Sequence, residues 1–235
     1  DESDVNSYPS IRLGSWFGGD RDGHPFVTAA VTAETFSQLR AAALSTLAKK
    51  LKQLSRDMAL SQLFQSPPAY LLDRISELDP KSLDTREIEE PWRRFAELVR
   101  DNLPRGKKPG KGYQQPSEVV ADLLILQRSL ADCGAQRLAN LYVRPIIRFL
   151  DTFGFHMAAL DIRQNSGFHD RALSQLLVAA GIDDGENFAR WSEERRVAFL
   201  SEELTRARPF AQDHEHMEPE VREAVGALKE VATHI

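Results

Sequence analysis

The sequence predicts a mostly α-helical chain carrying two short strands that belong to a sheet completed by strands outside it. Three observations lead there. Apolar residues recur at helical spacing through most of the 235 residues. Only two stretches, IRLGSWFG at 11–18 and FHMAALDIR at 155–163, read as strand. More than a hundred residues separate them, and two lone strands rarely make a sheet by themselves.

The helices follow from spacing and punctuation. VTAET offers Thr32 as an N-cap for a helix over 33–64, with Phe36, Leu39, Leu44, Leu47, Leu51 and Leu54 as its apolar stripe and SPP at 66–68 as its stop. Residues 69–153 read as further helices, interrupted near Pro91 and Pro145 and by the Gly-, Pro- and Lys-rich stretch 104–116. That stretch reads as a solvated loop, with a basic segment near an anionic substrate as the alternative. In SEVVADLLILQRSLADCG the expected buried face is Val119, Val120, Leu123, Leu124, Gln127 and Leu130. Helices resume over 167–235, and the whole of 1–235 reads as a single segment.

Composition bounds the function. With 42% apolar and 28% charged residues the chain fits an ordinary globular protein. A net charge of −5 gives no global attraction for nucleic acid or an anionic membrane. Any anion is therefore gripped by local groups. The single cysteine, Cys133, excludes an intrachain disulfide and suits a reducing cytoplasm. No apolar run approaches the ~20 residues of a membrane span. DESDVNSYPS has no signal pattern and no initiator Met, and is read as the polar lead-in to a segment of a longer protein.

Two constellations carry possible chemistry. The first is GGDRDGHP at 18–25. If the strand persists through it, alternation places Asp20 and Asp22 on one side, anchored to their surroundings, and Arg21 on the other. Gly18, Gly19 and Gly23 let the backbone turn and let a ligand approach; His24 follows the turn and could contact that ligand. An arginine fork suits an oxyanion; a corner held by Asp–Arg–Asp salt bridges is the equal alternative. A calcium loop starting at Asp20 needs a glutamate twelve positions on, where Val31 stands. The second constellation is LDIRQNSGFH at 160–169, where Asp161 and Arg163 face inward at the strand's carboxyl end as a buried pair, beside Gln164. In (β/α) barrels that end carries the active site, although such a pair is more often structural. His214 and His216 lack the spacing and third ligand of a metal site.

GSWFGGDRDGHPFVTAAVT resembles the phosphoenolpyruvate carboxylase segment usually written G-S-W-M-G-G-D-R-D-G-N-P, and FGFHMAALDIRQNSGFHDRAL resembles that family's L-D-I-R-Q-E-S segment, in the same order. The resemblance implies an internal fragment, roughly a quarter of the family's chain, holding two strands of an α-helix-rich, eight-stranded (β/α)-type barrel. It implies a lyase that carboxylates phosphoenolpyruvate with bicarbonate to oxaloacetate and phosphate, feeding the tricarboxylic acid cycle. It also implies Mg²⁺ or Mn²⁺ in the full-length enzyme, and a cytoplasmic homotetramer. Arg21 corresponds to an active-site arginine that holds anionic substrates. Gly18, Gly19, Asp20, Asp22, Gly23 and His24 would shape its pocket, and Asp161, Arg163 and Gln164 would support it. The family's catalytic histidine motif lies upstream, and its metal carboxylates, lysine and arginine-rich loop lie downstream. No metal is therefore expected on this fragment, which is expected to be inactive alone and to self-associate. Departures occur at Phe17, His24 and Asn165, where the family usually has Met, Asn and Glu. The last two motivate an alternative: an inactive, carboxylase-like helical scaffold or interaction module.

Overall fold

The computed structural model describes residues 11–24, 26–80, 88–104, 112–206 and 217–234. Pro25, the basic stretch 105–111, and 207–216 with His214 and His216 lie outside the described residues. Where the sequence reads as one segment, the chain forms two compact units, Asp1–Leu13 with Ser37–Ala159, and Gly14–Phe36 with Leu160–Ile235. Among the described residues no helix is long and apolar enough to cross a membrane.

The first unit holds the main core. Helix α1 (Ala29–Asp57) buries Ala43, Leu47, Leu51 and Leu54, with Met58 just beyond it. It stops at Asp57 rather than at residue 64. The Ser61 hydroxyl and carbonyl take up the amides of Leu63, Phe64 and Gln65 in a local turn, the competing use of serine that breaks helices. Helix α2 (Ala69–Leu78) adds Leu71 and Ile75, and α3 (Pro91–Asp101), begun by its proline, adds Trp92, Phe95 and Val99.

Helix α4 (Pro116–Asp132) starts in a capping box, in which the Glu118 carboxylate accepts the Gln115 amide at 2.8 Å. The Gln115 and Gln114 amides hold the Glu118 carboxyl below its ordinary range. Its buried face is Val119, Leu123, Leu126 and Leu130, and Leu124 is half exposed. The expected face was turned too far because two polar residues share the buried side. Asp122 accepts from Arg74 at 2.7 and 3.1 Å and from the Tyr113 hydroxyl at 2.6 Å. The Ser129 hydroxyl accepts from the Trp92 indole at 3.1 Å. Hydropathy cannot show partners supplied by other elements. The interruption expected at Pro145 is a π-helical turn, Ala139–Val143, between the short α5 (Gln136–Leu138) and α6 (Arg144–Phe153).

The second unit packs Leu177 of α7 (Ser166–Ala179) against Phe188 and Trp191, with Phe199 and Leu200 of α8 (Glu193–Glu203) beside them. Asp184 accepts from Asn187, Trp191 and Arg195, and these donors, Asn187 and Arg195 foremost, hold its carboxyl low. Helix α9 (Pro219–His234) follows, and its His234 ring stacks on Phe36 at 4.8 Å.

Both strands are shorter than expected. Strand β1 is Gly14–Ser15 and β2 is Ala159–Leu160; residues 155–158 form a turn instead, with Met157 at φ 64°. The ladder is carried by Ala159 N–H to the Leu13 carbonyl at 2.8 Å and Asp161 N–H to the Ser15 carbonyl at 2.7 Å. It resumes as a parallel bridge between Asp20 and Arg163.

Candidate anion site at the carboxyl ends of the strands

The GGDRDGHP octet does not continue β1 as a strand. Between the Ser15–Asp161 and Gly19–Arg163 bonds, β2's side advances from 161 to 163 and β1's side from 15 to 19. The surplus on β1 is a bulge, closed by the amides of Gly19 and Asp20 donating to the Trp16 carbonyl at 2.9 and 3.1 Å. Gly18 sits in it at φ 79°, where only glycine is unstrained. Beyond the bulge, Arg21 N–H donates to the Arg163 carbonyl at 2.9 Å. The octet and the segment Asp161–Gln164 thus lie side by side past the carboxyl ends of two parallel strands, the place where open and closed parallel sheets carry ligands.

Expected separation of Arg21 from its aspartates is found, but with the sides exchanged. Arg21 turns inward and is 9% exposed. Its Nη2 donates to the Thr32 hydroxyl at 2.6 Å and to the Thr28 carbonyl at 3.5 Å. Its Nε and Nη1 are buried with no hydrogen-bond partner. Asp20 closes its own turn by accepting the Gly23 amide at 3.1 Å, and Asp22 is exposed. Among the described residues no ion pair joins Arg21 to either aspartate, so the salt-bridged corner is not what the octet forms.

Sequence reasoning missed two residues here. Thr32 is not the N-cap: α1 begins earlier, and the Thr28 hydroxyl accepts the Val31 amide at 3.3 Å. Thr32 is instead fully buried and donates to the Gly18 carbonyl at 2.7 Å. Glu223 of α9 accepts the Ala29 amide at 3.0 Å, at the start of α1. Burial lowers the Arg21 pKa, and the negative charge of Glu223 partly opposes that. An arginine so placed stays charged at every physiological pH. Only a TAAVT run and an EVREAV run stand for these roles in the sequence, and neither carries a signal for a contact so distant along the chain.

The expected supporting residues are placed as follows. Asp161 and Arg163 pair at 3.1 Å, but their side chains are 54% and 53% exposed rather than buried. An exposed pair of this kind contributes about 0–1 kcal/mol. Arg163 also lies 5.6 Å from the Trp16 ring. Gln164 accepts the Asn165 amide at 2.8 Å. His24 is exposed, and its Nδ1 accepts the Phe26 amide at 3.3 Å. Asn165 has a structural use: its Oδ1 accepts the Gly167 amide at 2.8 Å and caps α7. Asn165→Ala is expected to cost about 1 kcal/mol in denaturant unfolding, and an unchanged midpoint would remove the cap's significance.

No three His, Cys, Asp or Glu side chains among the described residues converge on a metal position. Asp20, Asp161 and Glu223 are each engaged with protein donors.

The family model for phosphoenolpyruvate carboxylase matches residues 1–235. The chain belongs to this family. It is 34% identical over 240 residues to phosphoenolpyruvate carboxylase of Azorhizobium caulinodans, covering 95% of this chain and 25% of that protein. It is 32% identical to the phosphoenolpyruvate carboxylase of Shewanella oneidensis, again over 95% of this chain and 25% of the relative. The same name is carried by a relative from Roseiflexus castenholzii, 31% identical over 96% of this chain and 26% of its own length. The chain thus spans about a quarter of the length of these carboxylases.

Proposed function

We propose that this chain is the Arg21-bearing segment of an active phosphoenolpyruvate carboxylase, which carboxylates phosphoenolpyruvate with bicarbonate to oxaloacetate and phosphate. The observation that carries this reading is the Arg21 guanidinium, buried with Nε and Nη1 unpartnered in a turn at the carboxyl ends of two parallel strands. Buried donors without acceptors are costly, and an anionic ligand is what would satisfy them. Phosphoenolpyruvate, bicarbonate and the charge that develops between them are all anionic, and fixed cationic donors stabilise such charge. Both nitrogens are enclosed, so binding requires the octet to yield locally. Its exposed Asp22, Gly23 and His24 have the least packing to lose.

On this reading the two strands belong to an eight-stranded barrel, and the divalent cation and remaining catalytic groups are held by residues outside this chain. A cytoplasmic homotetramer is part of the same reading. Asn165 and His24, the two departures that motivate the scaffold alternative, each have a local structural use, as a helix cap and in a turn.

Two measurements test the proposal. The complete polypeptide carrying this chain should form oxaloacetate from phosphoenolpyruvate and bicarbonate, and a folded but inactive polypeptide would overturn it in favour of the scaffold. The 235-residue chain alone should release no phosphate from the same substrates; metal-dependent turnover by it would show that the missing groups are not needed.

A further inference from the structure

Arg21 sits on a turn between glycines, which by itself cannot aim a long side chain. Thr32 is the fourth residue of the 29-residue helix α1 and is fully buried. Its hydroxyl has one proton. That proton is directed at the Gly18 carbonyl, 2.7 Å away, in preference to the Thr28 carbonyl at 3.3 Å. The oxygen's lone pairs are then left to accept from Arg21 Nη2 at 2.6 Å. One hydroxyl therefore ties both the bulge and the guanidinium to α1.

The choice of nitrogen matters. Both paired-donor edges of a guanidinium, Nε with Nη2 and Nη1 with Nη2, share Nη2. Holding it fixes the plane of both edges while leaving its second proton, the Nε proton and the two Nη1 protons without a good acceptor. The Thr28 carbonyl, at 3.5 Å, is at the limit of a hydrogen bond. Groups aimed from a helix are held more closely than groups aimed from a loop. We infer that Thr32 is the positioning residue of the anion site: it orients Arg21 toward an incoming oxyanion and keeps the guanidinium in place while the octet yields.

This inference rests on the reading of Arg21 as the anion-binding group, and the test separates the two. Four forms of the complete carboxylase polypeptide are compared with the parent: Thr32→Val, Thr32→Ser, Arg21→Ala, and Arg21→Ala with Thr32→Val. Thr32→Val keeps the shape and removes the hydroxyl. It is expected to lower kcat/KM for phosphoenolpyruvate about 10- to 100-fold, the effect of one lost hydrogen bond to a charged group. The loss should appear in kcat as well as KM, because a misaimed donor fails the transition state too. Thr32→Ser, which restores the hydroxyl, should recover most of it. In the Arg21→Ala background Thr32→Val should add little, since a residue acting through Arg21 has nothing left to act on.

The same fold-loss from Thr32→Val with or without Arg21, or no loss at all, overturns the positioning role and leaves the anion site standing. Near-normal turnover by Arg21→Ala overturns the anion site itself, and Thr32's role with it. If Thr32→Val does not fold, Thr32→Ala and Thr32→Ser are compared in its place, and equal activity of those two overturns the role.

Discussion

Arg21→Ala, made in the complete carboxylase polypeptide carrying this chain, is expected to lower kcat/KM for phosphoenolpyruvate about 100- to 1,000-fold, the effect of removing one preorganised donor from a developing oxyanion. Stability should not fall with it. The guanidinium is a buried charge with two unpartnered nitrogens, and removing such a group relieves desolvation rather than breaking a satisfied network. Thr32 keeps its bond to the Gly18 carbonyl in the variant, so no new buried donor is orphaned. A residue retained for function at a cost in stability shows this split. Arg21→Lys should fall between the two, because an ammonium keeps the charge and loses the planar fork. A variant that unfolds earlier and turns over normally would make Arg21 a structural residue.

Such a split was only half visible in the sequence. Arg21 stood out because glycines and aspartates flank an arginine at a strand end, and its separation from those aspartates followed from alternation. The direction did not follow, because alternation assumes a continuous strand and the bulge at 16–19 breaks it. What holds Arg21 inward is the Thr32 hydroxyl, eleven residues on, and the charge that partly offsets its burial is a carboxylate on α9 near the other end of the chain. Neither has a local signature. Thr28 and Thr32 are equally good caps by residue type, and only the approach of the octet to α1 decides that one caps and the other is buried.

The helices were legible for the opposite reason. Leucines at 47, 51 and 54 bury one side of α1 whatever packs on it, so period alone locates that helix. The reading failed where a polar residue belongs inside: Asp122 and Ser129 are buried on α4 because Arg74, Tyr113 and Trp92 reach them from elsewhere. Pro145 announced an interruption, but a π turn rather than a simple break depends on the backbone shift its neighbours accept.

The octet's glycines also differ in a way that spacing does not show, and Gly19→Ala is expected to cost more than Gly23→Ala. A Cβ at Gly19 would lie 2.2 Å from the Asp161 carbonyl oxygen. That oxygen belongs to the backbone beside β2 and cannot rotate away. The two segments must separate, and with them the Arg21–Arg163 and Arg163–Gly19 bonds that hold the octet against β2, each 2.9 Å long. The expected cost is about 2–3 kcal/mol in denaturant unfolding of the complete polypeptide, together with a loss of turnover because Arg21 moves with its backbone. Gly23→Ala is the matched control. Its Cβ would come within 3.0 Å of only the Asp20 carboxylate oxygen, a side-chain atom that can shift, and less than about 1 kcal/mol is expected. A Gly23→Ala variant more destabilised than Gly19→Ala would mean that the close approach of the octet to β2 does not hold the site together. Equal effects would have the same meaning, because the two contacts differ chiefly in whether the atom opposite belongs to backbone or to a side chain.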